Sequence, residues 1–323
     1  MVAQLPEDVG KLNNLRVFII QSCSKIQKLP DSLTGLVNLK VLQAVDYDKL
    51  ISIPILSNLG RLKELALAKL PQLPQVSASL PCSLEILSIG SSQRLDPLLE
   101  LPSLPRLRNM SLTIVGLVRG LAAGMSLSFL ENLELTLDGE AKDLTLPLEL
   151  LPSLRSLTIH SAGCMRLSPE GLGSALRQLR RLLIQRVAEL TRLKDSFTDL
   201  QSLTFVEIHV PKLSSVPDGI GALSRLPQLN LENCSSLTHL PTSLTQLSCL
   251  HELNLRCAPI RSLSVYLGQL SRLKELNLDG CTQLAALPQD FSQLKMLHSL
   301  TVVGCHEFEA EDMENMYGLR AYP

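Results

Sequence analysis

The sequence predicts an α/β solenoid. About thirteen short repeats each give one parallel β-strand to a concave inner face and a return segment to the convex outer face. Three observations predict it. The pattern LxxLxxLxL recurs from end to end at intervals of 22–25 residues. Within each copy the last two apolar positions, such as Leu253 and Leu255, are two apart and therefore share one side of a strand. About eleven residues later an apolar–Pro pair recurs and ends strand pairing.

The third leucine-type position of the pattern falls on Phe18, Leu42, Leu65, Leu87, Met110, Leu133, Leu157, Leu182, Val206, Leu229, Leu253, Leu276 and Leu300. Unrelated leucines would not hold such a register. Each repeat can bury its leucines only against its neighbours, so stacking generates one continuous core. The apolar–Pro pairs are Leu5-Pro6, Leu29-Pro30, Ile53-Pro54, Val216-Pro217, Leu240-Pro241 and Leu287-Pro288. Only a dozen or so residues remain for each return segment, which predicts short 3₁₀ or helical turns and no long helices. Repeats four to eight depart from this spacing at Leu95-Asp96-Pro97, in the Gly-rich stretch 116–124, and over 161–173. Convex-side loop variation accounts for them, because the repeat interval itself hardly changes.

Composition fits this architecture and excludes several functions. Hydrophobic residues make up 45% and charged residues 19%, which supports a large core. Aromatics are only 3% and Trp is absent, so that core is aliphatic. A formal net charge of −1 argues against a nucleic-acid surface, which needs a basic excess. No apolar stretch reaches the length of a membrane span, and the longest candidate, 114–125, carries Arg119. The first residues lack a secretory apolar run. The eight cysteines contain no CxxC. Free thiols in the cytoplasm are therefore expected.

Residues 1–305 form the expected repeat domain. The stretch 306–323 leaves the repeat and carries Glu307, Glu309, Glu311, Asp312 and Glu314, as an acidic C-terminal cap would. The N-terminal end shows no comparable cap. That pattern is the one expected where a further domain precedes the repeats.

The segments Leu229–Pro241 and Leu276–Pro288 fit LxLxxCxxLxxLP, with Cys at 23, 234, 281 and 305 five residues after the marked position. In this the chain resembles the leucine-rich-repeat region of plant intracellular nucleotide-binding disease-resistance receptors. Tyr47, Asp138 and Pro211 stand at the same place in other repeats, so the match is partial. The resemblance implies a leucine-rich-repeat horseshoe that senses a protein ligand or adjoining receptor domains. It implies no cofactor site, because the GxxxxGK[ST] loop of such receptors is absent.

The outward strand positions of repeats nine to twelve are Phe205, Glu207, His209; Gln228, Asn230, Glu232; Glu252, Asn254, Arg256; and Glu275, Asn277, Asp279. Five carboxylates face one Arg, and an Asn column runs through the set. Strands about 4.8 Å apart merge these side chains into one surface. A solvated face and a binding patch are both consistent with it. A partner bound there would present a basic surface. Val17, Ile19, Val41 and Val45 make the corresponding face of repeats one and two apolar, which suits a contact with another domain. The residue before each outward set is often basic (Arg16, Lys40, Lys63, Arg108, Arg155, Arg180, Lys274). Those side chains either cover apolar surface or form a positive rim.

Catalysis and metal binding find no support. His160 and His209 lie two repeats apart, about 10 Å at sheet spacing, too far to share a zinc ion. Cys249 and Cys257 lack metal spacing, and no nucleophile–base set is suggested. The expected function is protein recognition. The plant immune-receptor class heads the readings, ahead of a stand-alone scaffold resembling Ras-group leucine-rich proteins and of a ubiquitin-ligase substrate adaptor.

Overall fold

The computed structural model describes residues 5–23, 25–73, 80–90, 103–115, 127–138, 148–161, 175–187 and 189–305. The expected cap 306–323 and the irregular stretches 95–97 and 116–124 lie outside them.

Thirteen strands form one sheet in sequence order. They are β1 (Val17–Gln21), β2 (Val41–Val45), β3 (Glu64–Ala68), β4 (Ile86–Ile89), β5 (Asn109–Val115), β6 (Asn132–Asp138) and β7 (Ser156–Ser161). Then follow β8 (Arg181–Gln185), β9 (Phe205–His209), β10 (Gln228–Asn230), β11 (Glu252–Asn254), β12 (Glu275–Asn277) and β13 (Ser299–Thr301). The described pairings are parallel, and the marked positions meet one another. Phe18 pairs with Leu42, then Leu65, Leu87, Met110 and Leu133; Leu182 pairs with Val206, then Leu229, Leu253, Leu276 and Leu300. The leucine register of the sequence is thus the hydrogen-bond register of the sheet.

The chain divides into two compact units, Met1–Leu154 with Ile159–Met165, and Arg155–Thr158 with Arg166–Pro323. Strands β1–β6 lie in the first and β8–β13 in the second. Each unit repeats the same cross-section. Alternate strand residues are buried, as in β2, β3 and β9. The core column three residues before the marked position is leucine in both units, including Leu39, Leu62, Leu107, Leu203, Leu226 and Leu250, each at most 1% exposed. Burying one such side chain contributes roughly 1.5–3 kcal/mol.

Four residues after the marked position the backbone turns a corner with positive φ. It does so at Ser22, Asp46, Lys69, Arg186, Asn233, Cys257, Gly280 and Gly304. Gly or Asn suits this left-handed conformation, and the other residues adopt it under strain. The next residue turns back into the core. Cys234 and Cys281 are fully buried there, and so are Tyr47, Leu70, Val187 and Ala258. Tyr47, Leu70, Val187 and Ala258 thus keep the packing role of the cysteine, whereas Pro211 at the same place is exposed and Val210 before it is buried.

The return segments contain 3₁₀ turns of three to five residues, as expected from their length. Pro6, Pro30, Pro241 and Pro288 each precede one, with φ between −64° and −68°. The ring presets this angle, and the proline carbonyl accepts the first turn's hydrogen bond, at 3.1 Å from Val9, Leu33 and Leu244 and at 3.0 Å from Phe291. Successive turns touch closely. A Cβ at Gly221 would lie 2.2 Å from the Ser243 carbonyl oxygen, so glycine is needed at that crossing.

Candidate recognition surface

The outward face of β9–β13 encloses a hollow of about 280 Å³. Phe205, Gln228, Asn230, Glu252, Asn254, Glu275 and Asn277 line it, together with Ser299 and Thr301 of β13. Seven of the twelve sequence-selected residues therefore meet around one concavity. Glu207, His209, Glu232, Arg256 and Asp279 flank it. Ser299 and Thr301 are outward positions of repeat thirteen that the sequence reading did not include; they lie beside Glu275 and Asn277 in the register and follow from the same alternation.

The asparagine column has a structural explanation. In Asn230, Asn254 and Asn277 the side-chain Oδ1 accepts a hydrogen bond from the main-chain N–H two residues on, at 3.0 Å in each case. This Asx turn competes with strand geometry. It coincides with a difference in length: β10, β11 and β12 stop after three residues, whereas β9, with Glu207 at the equivalent place, runs for five. Glu232, Arg256 and Asp279, expected on strands, consequently sit in the turns that follow. Asp279 Oδ1 accepts from the Val303 amide at 2.8 Å, and Thr301 Oγ1 donates to Asn277 Oδ1 at 2.9 Å.

The carboxylates differ in what they touch. Glu207 accepts from Gln185 Nε2 at 3.1 Å, and Glu252 accepts from Gln228 Nε2 at 2.8 Å. Glu232 lies 3.4 Å from Arg256 Nη1 and accepts from Asn254 Nδ2 at 3.3 Å. Glu275 is exposed and, among the described residues, has no hydrogen-bond or ion-pair partner for its carboxylate. His209 Nε2 is buried without a hydrogen bond, 3.5 Å from Glu207 Oε1. Phe205 is half-buried because Arg181, its register neighbour on β8, stacks over the ring at 4.4 Å from the centroid.

The first unit presents a different face. Val17 and Ile19 are each 50% exposed, and Val41 and Val45 are partly exposed beside them. The often-basic column along the sheet edge is not uniformly positive. Glu85 and Glu131 occupy the same column, where Lys63 pairs with Glu85 at 2.8 Å and Arg108 with Glu131 at 2.6 Å. The hydrogen bond from Lys63 pulls the Glu85 carboxyl below the usual range.

Three of the four repeat-position cysteines bond to the preceding repeat, whereas Cys23 donates to the Gln21 carbonyl of its own strand at 3.4 Å. Cys234, Cys281 and Cys305 donate from Sγ to carbonyls of the preceding repeat, at Ile208, Leu255 and Leu278, over 3.1–3.2 Å. Burial pushes the Cys234 thiol up to about 11 and the Cys281 thiol up to about 12. Among the described residues no three His, Cys, Asp or Glu side chains group to hold a metal ion, and no helix is long and apolar enough to cross a membrane.

No protein-family model matches the chain, and no curated protein does. Solved structures do. A leucine-rich-repeat protein of Leptospira interrogans superposes with a TM-score of 0.64 at 19% identity, over 98% of this chain and 97% of its own. TLR13, in complex with ssRNA13, gives 0.62 at 19% identity over 92% of this chain and 51% of its own. The functional domain of InlJ from Listeria monocytogenes, which includes a cysteine ladder, gives 0.57 at 19% identity over 86% and 63%. Matching strand order, 3₁₀ return turns and inward leucine columns make this chain's fold that of the leucine-rich-repeat proteins.

Proposed function

We propose that the chain is a non-catalytic recognition module that binds a protein partner with a basic surface across β9–β13, in a cytoplasmic receptor of the plant disease-resistance type. The hollow carries this reading. Glu252 and Glu275 line it, and no cationic side chain does. Complementary charge steers and orients such a partner. The same charge disfavours a phosphate backbone, so the reading parts from the RNA ligand of TLR13. The plant-receptor assignment rests on LxLxxCxxLxxLP, whose buried cysteines bond to the preceding repeat. The exposed Val17, Ile19, Val41 and Val45 would contact an adjoining receptor domain.

The test is retention on an array of random peptides. Lys- and Arg-rich peptides should be enriched, and their retention should fall with added salt. The charge reversal Glu207→Lys/Glu232→Lys/Glu252→Lys should abolish it. Equal retention of acidic peptides, or of basic peptides by the reversed variant, would overturn the proposal.

A further inference from the structure

We infer that the hollow on β9–β13 seats one arginine side chain of the partner, with its guanidinium held between Glu252 and Glu275. The inference rests on the recognition reading above and specifies its ligand.

The pairing register supplies the first argument. Glu252 and Glu275 are direct cross-strand neighbours. Like charges at such positions, about 5 Å apart, repel. Two cations near this face could have relieved them, Arg181 of β8 and Arg256 in the turn after β11, and both are engaged elsewhere: Arg181 over Phe205, and Arg256 beside Glu232. Lys274, His251 and His298 belong to the rim column and do not line the hollow. Gln228 occupies only Oε2 of Glu252, which leaves Oε1 open, and both oxygens of Glu275 are open. An incoming cation would remove the repulsion and gain charge-assisted hydrogen bonds.

Size and surface chemistry supply the second. At about 280 Å³ the hollow lies below the roughly 300–1,000 Å³ of pockets for drug-sized ligands, which suits a single long side chain. Phe205 gives an apolar wall for its stem, and the amides of Asn254 and Asn277 give planar surfaces. A planar, weakly hydrated guanidinium with a donor fork matches two neighbouring carboxylates better than a compact ammonium does. Arg181 on Phe205 shows that this end of the face already packs a guanidinium against its aromatic side.

The experiment titrates N-acetyl-arginine methylamide onto the full chain and follows the side-chain amide NMR signals of Asn254 and Asn277. The arginine probe should shift both. The citrulline analogue, which keeps the shape and loses the charge, should bind at least about tenfold more weakly, as expected for losing a hydrogen bond to a charged group. Glu275→Gln, an exposed substitution, should weaken the arginine probe by a similar factor, and Glu85→Gln, on the first unit's rim beside Lys63, should not. Equal binding of arginine and citrulline, equal binding of the lysine analogue, or an unaltered response in Glu275→Gln would overturn the inference. A silent arginine probe alongside charge-sensitive retention of basic peptides would refute the arginine seat and leave the recognition reading standing. Loss of both would refute both.

Discussion

Replacing Lys69 and Arg186 by glycine should stabilise the protein, although glycine normally weakens structured segments. Both residues occupy the positive-φ corner after the strand, at φ 53° and 59°. An L-residue pays about 1–2 kcal/mol for left-handed backbone. Glycine avoids that cost and loses roughly 0.5–1 kcal/mol through its freer unfolded chain. The net gain is about 0.5–1 kcal/mol per site. Lys69 lies in the first unit and Arg186 in the second, so the two gains should add. Unfolding entropy near 2.1 cal/mol/K per residue makes each gain worth only about 1 °C in Tm. Urea denaturation, where the midpoint shift multiplied by the slope gives the free-energy change directly, is the assay. Asn233→Gly should gain less than either, because Asn tolerates this conformation. Gly280→Ala should lose stability. A Lys69→Gly variant less stable than the parent, or one indistinguishable from Asn233→Gly, would refute the strain argument.

Three further outcomes follow from the same geometry. Gly221→Ala places a methyl group 2.2 Å from a carbonyl oxygen and should cost about 1–3 kcal/mol in urea titration, whereas Gly60→Ala, with nothing within 4 Å, should be neutral or slightly stabilising. Thiol labelling of the native protein near pH 8 should modify the exposed Cys82 and Cys257 and spare Cys234 and Cys281, as read by mass spectrometry. The two buried thiols have folded pKa values raised from 9.0 to about 11 and about 12, so their contribution to stability is complete below pH 9. It declines as pH rises through 9 towards 12, a loss that Cys234→Ala/Cys281→Ala should reduce in denaturation curves taken across that range, the remainder coming from groups such as the buried Tyr47, whose pKa is also raised.

The repeat register was legible because burial imposes one fixed spacing on leucine, and every described marked pair meets in the sheet. Proline before a 3₁₀ turn was legible for an equally local reason. The positive-φ corner was not. It recurs at one repeat position, yet Ser, Asp, Lys, Arg, Asn, Cys and Gly all occupy it, so no residue type announces it. Strand length was hidden as well: the three-residue strands carry Asn230, Asn254, Asn277 or Thr301 after the marked leucine, so no single residue type announces it. At the site, the outward alternation placed seven lining residues around one hollow. The stacking of Arg181 on Phe205 was not legible, because it needs the cross-strand register of β8 and β9 as well as the outward alternation within one repeat. Glu85 and Glu131 stand in the same column as the basic residues and pair with Lys63 and Arg108, which favours the reading of that column as solvated cover over a positive rim.

The asparagine column shows why stability and recognition must be separated on this face. Asn254 Oδ1 holds the Arg256 amide, and its Nδ2 reaches Glu232. Asn254→Ala removes both bonds and should cost about 1 kcal/mol, most of which Asn254→Asp should retain by keeping the acceptor. If the column served only to bind a partner, alanine and aspartate would be equally stable and would differ only in affinity. If the turn comes first, alanine weakens binding through a misplaced Arg256 and Glu232, and combining Asn254→Ala with Glu232→Gln should cost less than the sum of the two. Additive losses would mean that asparagine and glutamate act independently, and the Asx turn would then have no part in shaping the hollow.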